Sequence, residues 1–143
     1  MDFINPPDSE IRKILSHPAT VAVVGCSDNP VRDSLKIAKL LQTRGFKVIP
    51  VNPQLSPEAL RAALGETCYP DLASIPEPVE IVDVFRRPEF LPAIVEEAIA
   101  KHAHILWCQL GVINLEAAHR AQNAGITVIM DRCPAIEFAR LSI

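Results

Sequence analysis

Apolar, largely β-branched runs recur along the chain: TVAVVG (20–25), FKVIPVNP (46–53), VEIVDVF (79–85), HILWCQLG (104–111) and ITVIMD (126–131). Apolar runs of this length mark strands buried on both faces. The segments between them change to helical spacing. Over 34–45, Ile37, Ala38 and Leu41 share one face, Ser34 is placed to cap and Gly45 to close. SPEALRAALG (56–65) predicts a short helix, and RPEFLPAIVEEAIAKH (87–102) a longer one with Pro88 in its first turn and Pro92 near its start. NLEAAHRAQNAG (114–125) has Asn114 as cap and Gly125 as stop, and PAIEFARL (134–141) gives a final turn or two. A leading helix over 9–16 lies between Pro6-Pro7 and Pro18, whereas CYPDLASIPEP (68–78) holds too much proline for regular structure. Strands alternating with helices predict an α/β, doubly wound, five-stranded, mainly parallel sheet with helices on both faces. The organisation expected is a single domain: a lead-in with its helix over 1–19 and the sheet domain over 20–143.

Length and charge narrow the function classes. The 143 residues suffice for one well-formed core, and a formal net charge of −3 argues against a general nucleic-acid surface. No apolar run approaches the roughly 20 residues of a membrane span, so no membrane partner is expected. The start, MDFINPPDSEIRKIL, lacks the basic-then-apolar order of a signal, which points to the cytoplasm. Cys26, Cys68, Cys108 and Cys133 show no CxxC spacing and fit reduced, small apolar residues. Three of them, Cys26, Cys108 and Cys133, fall at strand ends. No metal is expected from them.

In a doubly wound sheet the ligand lies outside the carboxyl ends of the strands. The first loop there, Gly25-Cys26-Ser27-Asp28-Asn29-Pro30-Val31-Arg32, leads into a helix whose unpaired amides and positive macrodipole end suit an anion. Ser27 and Ser34 add hydroxyls; Arg32, Lys36 and Lys39 add charge, against which Asp33 works. The alternative is a plain tight connection with a capped helix. NAD is disfavoured, because no second glycine follows Gly25 and the second strand ends in Val51-Asn52-Pro53 without a ribose-binding carboxylate. The third loop, Phe85-Arg86-Arg87, carries two guanidiniums, one expected to face the cleft and the other to make a surface or structural contact. The remaining loops offer Gln109 and Gly111, then Asp131-Arg132-Cys133.

Catalytic groups are scarce. His17, His102, His104 and His119 fall on helices or helix ends, and no GxSxG, HExxH or P-loop occurs. Cys26 is the best nucleophile candidate, because a helix N-terminus lowers a thiol pKa. Asp131 and Glu137 could form an acid/base pair, with ion pairing to Arg132 or Arg140 as the plainer explanation. Of Trp107 and Gln109, one is expected in the core and the other near the ligand.

The segments VAVVGCSDNPVRDS, VIPVNP, CYPDLASIPEPVEIVDVFRRPE, WCQLGVINLEAA and VIMDRCPAIEFARL resemble, in order and spacing, the stand-alone CoA-binding proteins. These are similar to the CoA-binding domain of the succinyl-CoA synthetase α subunit. The resemblance implies a Rossmann-like domain that binds coenzyme A. The diphosphate would lie on the Gly25–Ser27 turn and the following helix N-terminus, and the adenosine near Val51, Asn52, Pro53, Phe85, Arg86 and Arg87. The pantetheine would run toward Gln109, Gly111, Arg132 and Cys133. The family often has a proline and an aromatic around the Asp33 and Leu35 positions and an apolar residue at Cys26. The synthetase's phospho-histidine segment and its partner's ATP-grasp domain have no counterpart in this sequence.

The leading expectation is therefore a non-catalytic module that binds coenzyme A or an acyl-CoA, as carrier, sensor or regulator. The alternatives are an NAD(P)-linked or CoA-dependent enzyme subunit needing a partner, and a redox-responsive protein whose Cys26, Cys108 and Cys133 pair with each other or with the thiol of CoA. A homodimer or an unidentified protein partner is left open.

Overall fold

Each apolar run forms a short strand: β1 (Thr20–Val24), β2 (Lys47–Val51), β3 (Ile81–Val84), β4 (Ile105–Cys108) and β5 (Thr127–Ile129). The computed structural model describes residues 2–143. The strands pair in the order β2-β1-β3-β4-β5, and every pairing is parallel, so the sheet is wholly rather than mainly parallel. Pro50 sits inside β2, which is tolerated because β2 is an edge strand and needs no donor there. That edge is partly covered: the Tyr69 amide donates to the Pro50 carbonyl and the Asn52 amide to the Tyr69 carbonyl.

The helices are α1 (Asp8–Leu15), α2 (Asp33–Thr43), α3 (Arg61–Leu64), α4 (Leu91–Ala100), α5 (Leu115–Asn123) and α6 (Pro134–Arg140). Alternate residues of each strand face opposite sides, giving two cores. Ala22, Val24, Val82, Val84, Leu106 and Val128 meet α4 and α5. Val21, Val23, Ile81, Trp107 and Ile129 meet α1, α2 and α6.

Two helices differ from expectation for local reasons. Residues 56–60 form i→i+3 turns before α3, which is therefore one turn long. The helix expected from 87 is divided: Pro88–Phe90 is a 3₁₀ turn and α4 begins at Leu91. Pro92 then falls in the first turn of α4, where neither its missing N–H nor its ring conflicts with the helix. By contrast, Asn114 caps α5 as read, accepting the Ala117 amide at 3.1 Å.

The strand order reverses direction beside β1: the chain passes from β1 outward to β2, then returns to β3 on the other side. The loops after β1 and β3 thus face each other across the switch point.

Candidate functional site

Gly25 leaves β1 with φ +86°, and a Cβ there would stand 2.8 Å from the Phe85 carbonyl oxygen and 2.9 Å from Arg86 Cδ. The glycine is needed where two loops touch. Its amide donates to the Val51 carbonyl at 2.8 Å, and the Cys26 amide shares that acceptor at 3.4 Å. The Ser27 amide donates to Ser34 Oγ at 2.9 Å, and Ser27 Oγ accepts the Asn29 amide at 3.0 Å. So the amides of Gly25, Cys26 and Ser27, expected to meet a diphosphate, are already engaged.

Ser34 does not cap. The N-cap of α2 is Arg32, which supplies no side-chain hydrogen bond, and Ser34 lies buried in the first turn. The amides of Asp33, Ser34 and Leu35 therefore have no acceptor among the described residues. They open on a hollow of about 510 Å³ lined by Gly25, Ser27, Val31, Arg32, Asp33, Ser34 and Phe85. Of the two parts expected to face an anion, the Gly25–Ser27 turn has its amides engaged, whereas the N-terminus of the following helix keeps its own unpaired.

Cys26 points inward, fully buried, with its thiol pushed up to about 12, chiefly by desolvation. The expected lowering by the helix end is overturned by burial. Asn52 ties loops together: Nδ2 donates to the Cys26 carbonyl at 3.0 Å and Oδ1 accepts the Gln54 amide at 2.9 Å. Val51 is buried in the core and Pro53 exposed beside it.

After β3, Arg86 stacks on the Phe90 ring at 4.3 Å and Arg87 lies 5.4 Å from the same ring. Arg87 pairs with Glu89 at 3.0 Å, whereas Arg86, Arg32 and Lys36 enter no ion pair among the described residues. Both arginines line a hollow of about 250 Å³ with Gly25, Asn52, Gln54, Phe85 and Phe90. The pair is therefore not split between cleft and surface as expected: both line the hollow, and they differ in that Arg87 has an exposed ion pair with Glu89 while Arg86 has none among the described residues.

A further hollow of about 520 Å³ is walled by Ile37, Leu40, Phe85, Leu110, Ala135 and Ile136, with Asp33, Lys36, Gln109 and Cys133 also on its lining. Trp107 and Gln109 are two residues apart and share a face, so both are buried, Trp107 in the core and Gln109 at this lining. Gln109 Nε2 donates to Asp83 Oδ1 at 2.6 Å. Asp83 is wholly buried with Oδ2 unpartnered, and desolvation pushes its carboxyl up to about 7.

Two groups expected near the pantetheine have partners within the protein. The Gly111 amide donates to Asp131 Oδ1 at 2.8 Å, and Arg132 pairs with buried Glu137 at 2.6 Å. Arg140 joins Glu137 at 3.0 Å and Asp8 at 2.8 Å, and these guanidiniums hold the Glu137 carboxyl below its usual range. The ion-pair explanation for Glu137 thus holds, and the acid/base pairing with Asp131 does not. Lys39 is exposed on α2, away from the linings of all three hollows.

Phe85 lines all three hollows, which makes it the junction of one branched cleft at the switch point. Phe90, Gln54, Leu40 and Ile136 also line the cleft, although no motif in the sequence singled them out. The spacing of Phe90 from the arginine pair, across one 3₁₀ turn, was the signal available for it. No helix among the described residues is long and apolar enough to cross a membrane.

Residues 19–139 match the family model described as CoA binding domain. The chain is 41% identical over 135 residues to the uncharacterized protein YneT of Bacillus subtilis, covering 94% of this chain and 96% of that one. A solved structure of a hypothetical protein from Pyrococcus horikoshii superposes with a TM-score of 0.88 at 36% identity, with 100% of both chains covered. Over 83 residues, 58% of this chain, it is 34% identical to an ADP-forming acetate–CoA ligase of Archaeoglobus fulgidus, of which the match spans 11%.

Proposed function

The chain belongs to the CoA-binding domain family, and from that premise we propose that it binds coenzyme A or an acyl-CoA as a non-catalytic carrier, sensor or regulatory module. The observation that carries this reading is the branched cleft around Phe85, whose arms differ in chemistry as the parts of that ligand do. The diphosphate lies at the first-turn amides of Asp33, Ser34 and Leu35, where the macrodipole favours negative charge and Arg32 stands at the rim. The adenosine and its 3′-phosphate lie between Asn52, Gln54, Arg86 and Phe90, where the unpaired guanidinium is the available cation. The pantetheine and any acyl group run into the apolar arm along α2, past Gln109.

Selectivity against NAD follows from the tip of β2. Asn52 has both ends of its amide committed to backbone partners and offers no carboxylate to ribose hydroxyls. Binding without chemistry is supported by Cys26, whose thiol is buried and raised rather than activated. The four free thiols suit a reducing compartment, which we take to be the cytoplasm.

Calorimetric titration with CoA, acetyl-CoA, NAD and NADP tests the reading. CoA is expected to bind in the micromolar range or tighter, and NAD at least about tenfold more weakly. Equal affinity for the two would overturn the assignment.

A further inference from the structure

The arm along α2 is apolar on its walls and polar at one buried point. The Gln109 side chain is 5% exposed, and its Nε2 is committed to Asp83. That bond fixes the amide so that Oε1 is the end left over. Oε1 accepts from no donor among the described residues and is not a sealed, partnerless atom, and Gln109 is part of the lining of this hollow. A carbonyl oxygen presented in an apolar hollow suits an arm that carries an amide N–H.

Cys133 lines the same hollow. Among the four free cysteines it is the partly exposed one; Cys26, Cys68 and Cys108 are buried. Burial pushes the thiols of those three up, Cys26 and Cys108 to about 12, which withdraws them from thiolate chemistry. The hollow shares Asp33 and Phe85 with the anion-binding arm, and α2 forms its wall from Asp33 to Leu40, about 10 Å of helix. A thiol-ended arm anchored by its phosphates at the helix start is thereby led toward Cys133.

We propose that Cys133 captures the thiol end of the ligand covalently, by exchange with the disulfide form of the coenzyme, while Gln109 Oε1 receives an amide N–H of the arm. The proposal rests on the coenzyme reading given above. The Cys133 thiolate attacks one sulfur of the coenzyme disulfide. The bond between the two coenzyme sulfurs breaks, a bond from Cys133 Sγ to one of them forms, and the other coenzyme leaves as its thiolate. The cysteine proton passes to water, and the disulfide supplies all the oxidising equivalents. The product is a protein that carries its ligand under oxidising conditions and releases it to an excess of thiol.

The test incubates the full chain with CoA disulfide or, at equal concentration, with bis(2-hydroxyethyl) disulfide, and reads adducts by intact mass and peptide mapping. Binding of reduced CoA to the wild-type chain is measured calorimetrically in parallel, with a phosphine reductant present. The expected result is a single coenzyme adduct on Cys133, formed at least about tenfold faster than the small-disulfide adduct. Gln109→Leu should diminish that advantage, and Cys133→Ser should abolish the adduct. If reduced CoA binds but Cys133 shows no preference for its disulfide, or another cysteine is labelled first, covalent capture is wrong and the binding reading stands. If reduced CoA does not bind and no preference appears, both fall together.

Discussion

The two ends of the sheet differ in a way their hollows do not suggest. At the amino ends of the strands, Ala19, Ile81, Ile105 and Thr127 join Glu10, Lys13, His17 and His104 in a groove of about 630 Å³. That is larger than any arm of the cleft at the carboxyl ends, of about 520, 510 and 250 Å³. The groove, however, mixes acids with bases, and His17 Nδ1 is committed to the Lys13 carbonyl 2.7 Å away. In a parallel sheet every crossover helix points its amino end to the carboxyl ends of the strands. Unpaired N–H groups gather on that side and unpaired carbonyls on the other. Chain direction, rather than volume, therefore makes the carboxyl ends the side better suited to an anion.

The comparison breaks most visibly at two glycines of nearly equal backbone angle. Gly25, at the carboxyl end, has φ +86° and is pressed by the Phe85 carbonyl; Gly125, before β5 at the amino end, has φ +89° and nothing within 4 Å. Alanine at Gly125 should cost about 1 kcal/mol, the left-handed penalty alone. Alanine at Gly25 should cost about 3 kcal/mol or more, because the loop after β3 must also move. Urea unfolding of the two variants measures the difference. Equal losses would mean that the junction of the first and third loops is slack.

A charge pair gives the next largest effect. Arg86→Glu removes the unpaired cation of the adenosine arm, whereas Lys13→Glu makes the same reversal in the amino-end groove. Calorimetry should find CoA binding weakened at least about tenfold by the first change and less than about twofold by the second. On the proposed reading the Arg86 variant should lose less affinity for dephospho-CoA, which lacks the 3′-phosphate assigned to the guanidinium. A matched loss for both ligands would move Arg86 away from that phosphate.

Much of this arrangement is legible in residue order, because apolar runs and caps are local signals. The strands, the Asn114 cap, the stop at Gly125 and the loops facing the switch point all rest on such signals. What escaped reading are choices among partners. Ser34 looked like a cap, but the Ser27 amide competes for its hydroxyl. Asn52 looked free for a ligand, yet one N–H and its Oδ1 are each engaged by a backbone group, which leaves the second N–H. Cys26 looked activated by a helix end, and only its position in the core reveals desolvation as the larger effect. Asp83 looked like a possible partner for Arg86 or Arg87, yet it is buried in β3 against Gln109, and it is Glu89 that pairs with Arg87.

Asp83 supplies the smallest and most diagnostic contrast between the two ends. The acids of the amino end, Glu10 and Glu80, stand exposed, whereas Asp83 is buried beneath the carboxyl-end loops. It borders a void of about 10 Å³ lined by Ile14, Leu15, Val21, Leu41, Phe46, Ile81, Trp107 and Pro134, at the lower limit for one water and without a second polar partner for it. The Trp107 indole cannot help, since its Nε1 donates to the Arg132 carbonyl at 2.9 Å. Desolvation raises the Asp83 carboxyl from 3.8 to about 7, outweighing the Gln109 hydrogen bond. The folded chain thus holds a proton that the unfolded chain has released, so this stabilisation is complete below about pH 4 and is lost as pH rises through about 7. Between pH 6 and 8 the loss should be about 1 kcal/mol. Glu137, with its carboxyl held low by two arginines, acts in the opposite direction and only in acid, outside that window. Asp83→Asn should flatten the pH dependence of urea unfolding from 6 to 8 while the wild-type chain slopes downward. An unchanged slope in the variant would mean that the carboxyl under the ligand-binding loops is already ionised, and that those loops admit more water than their packing suggests.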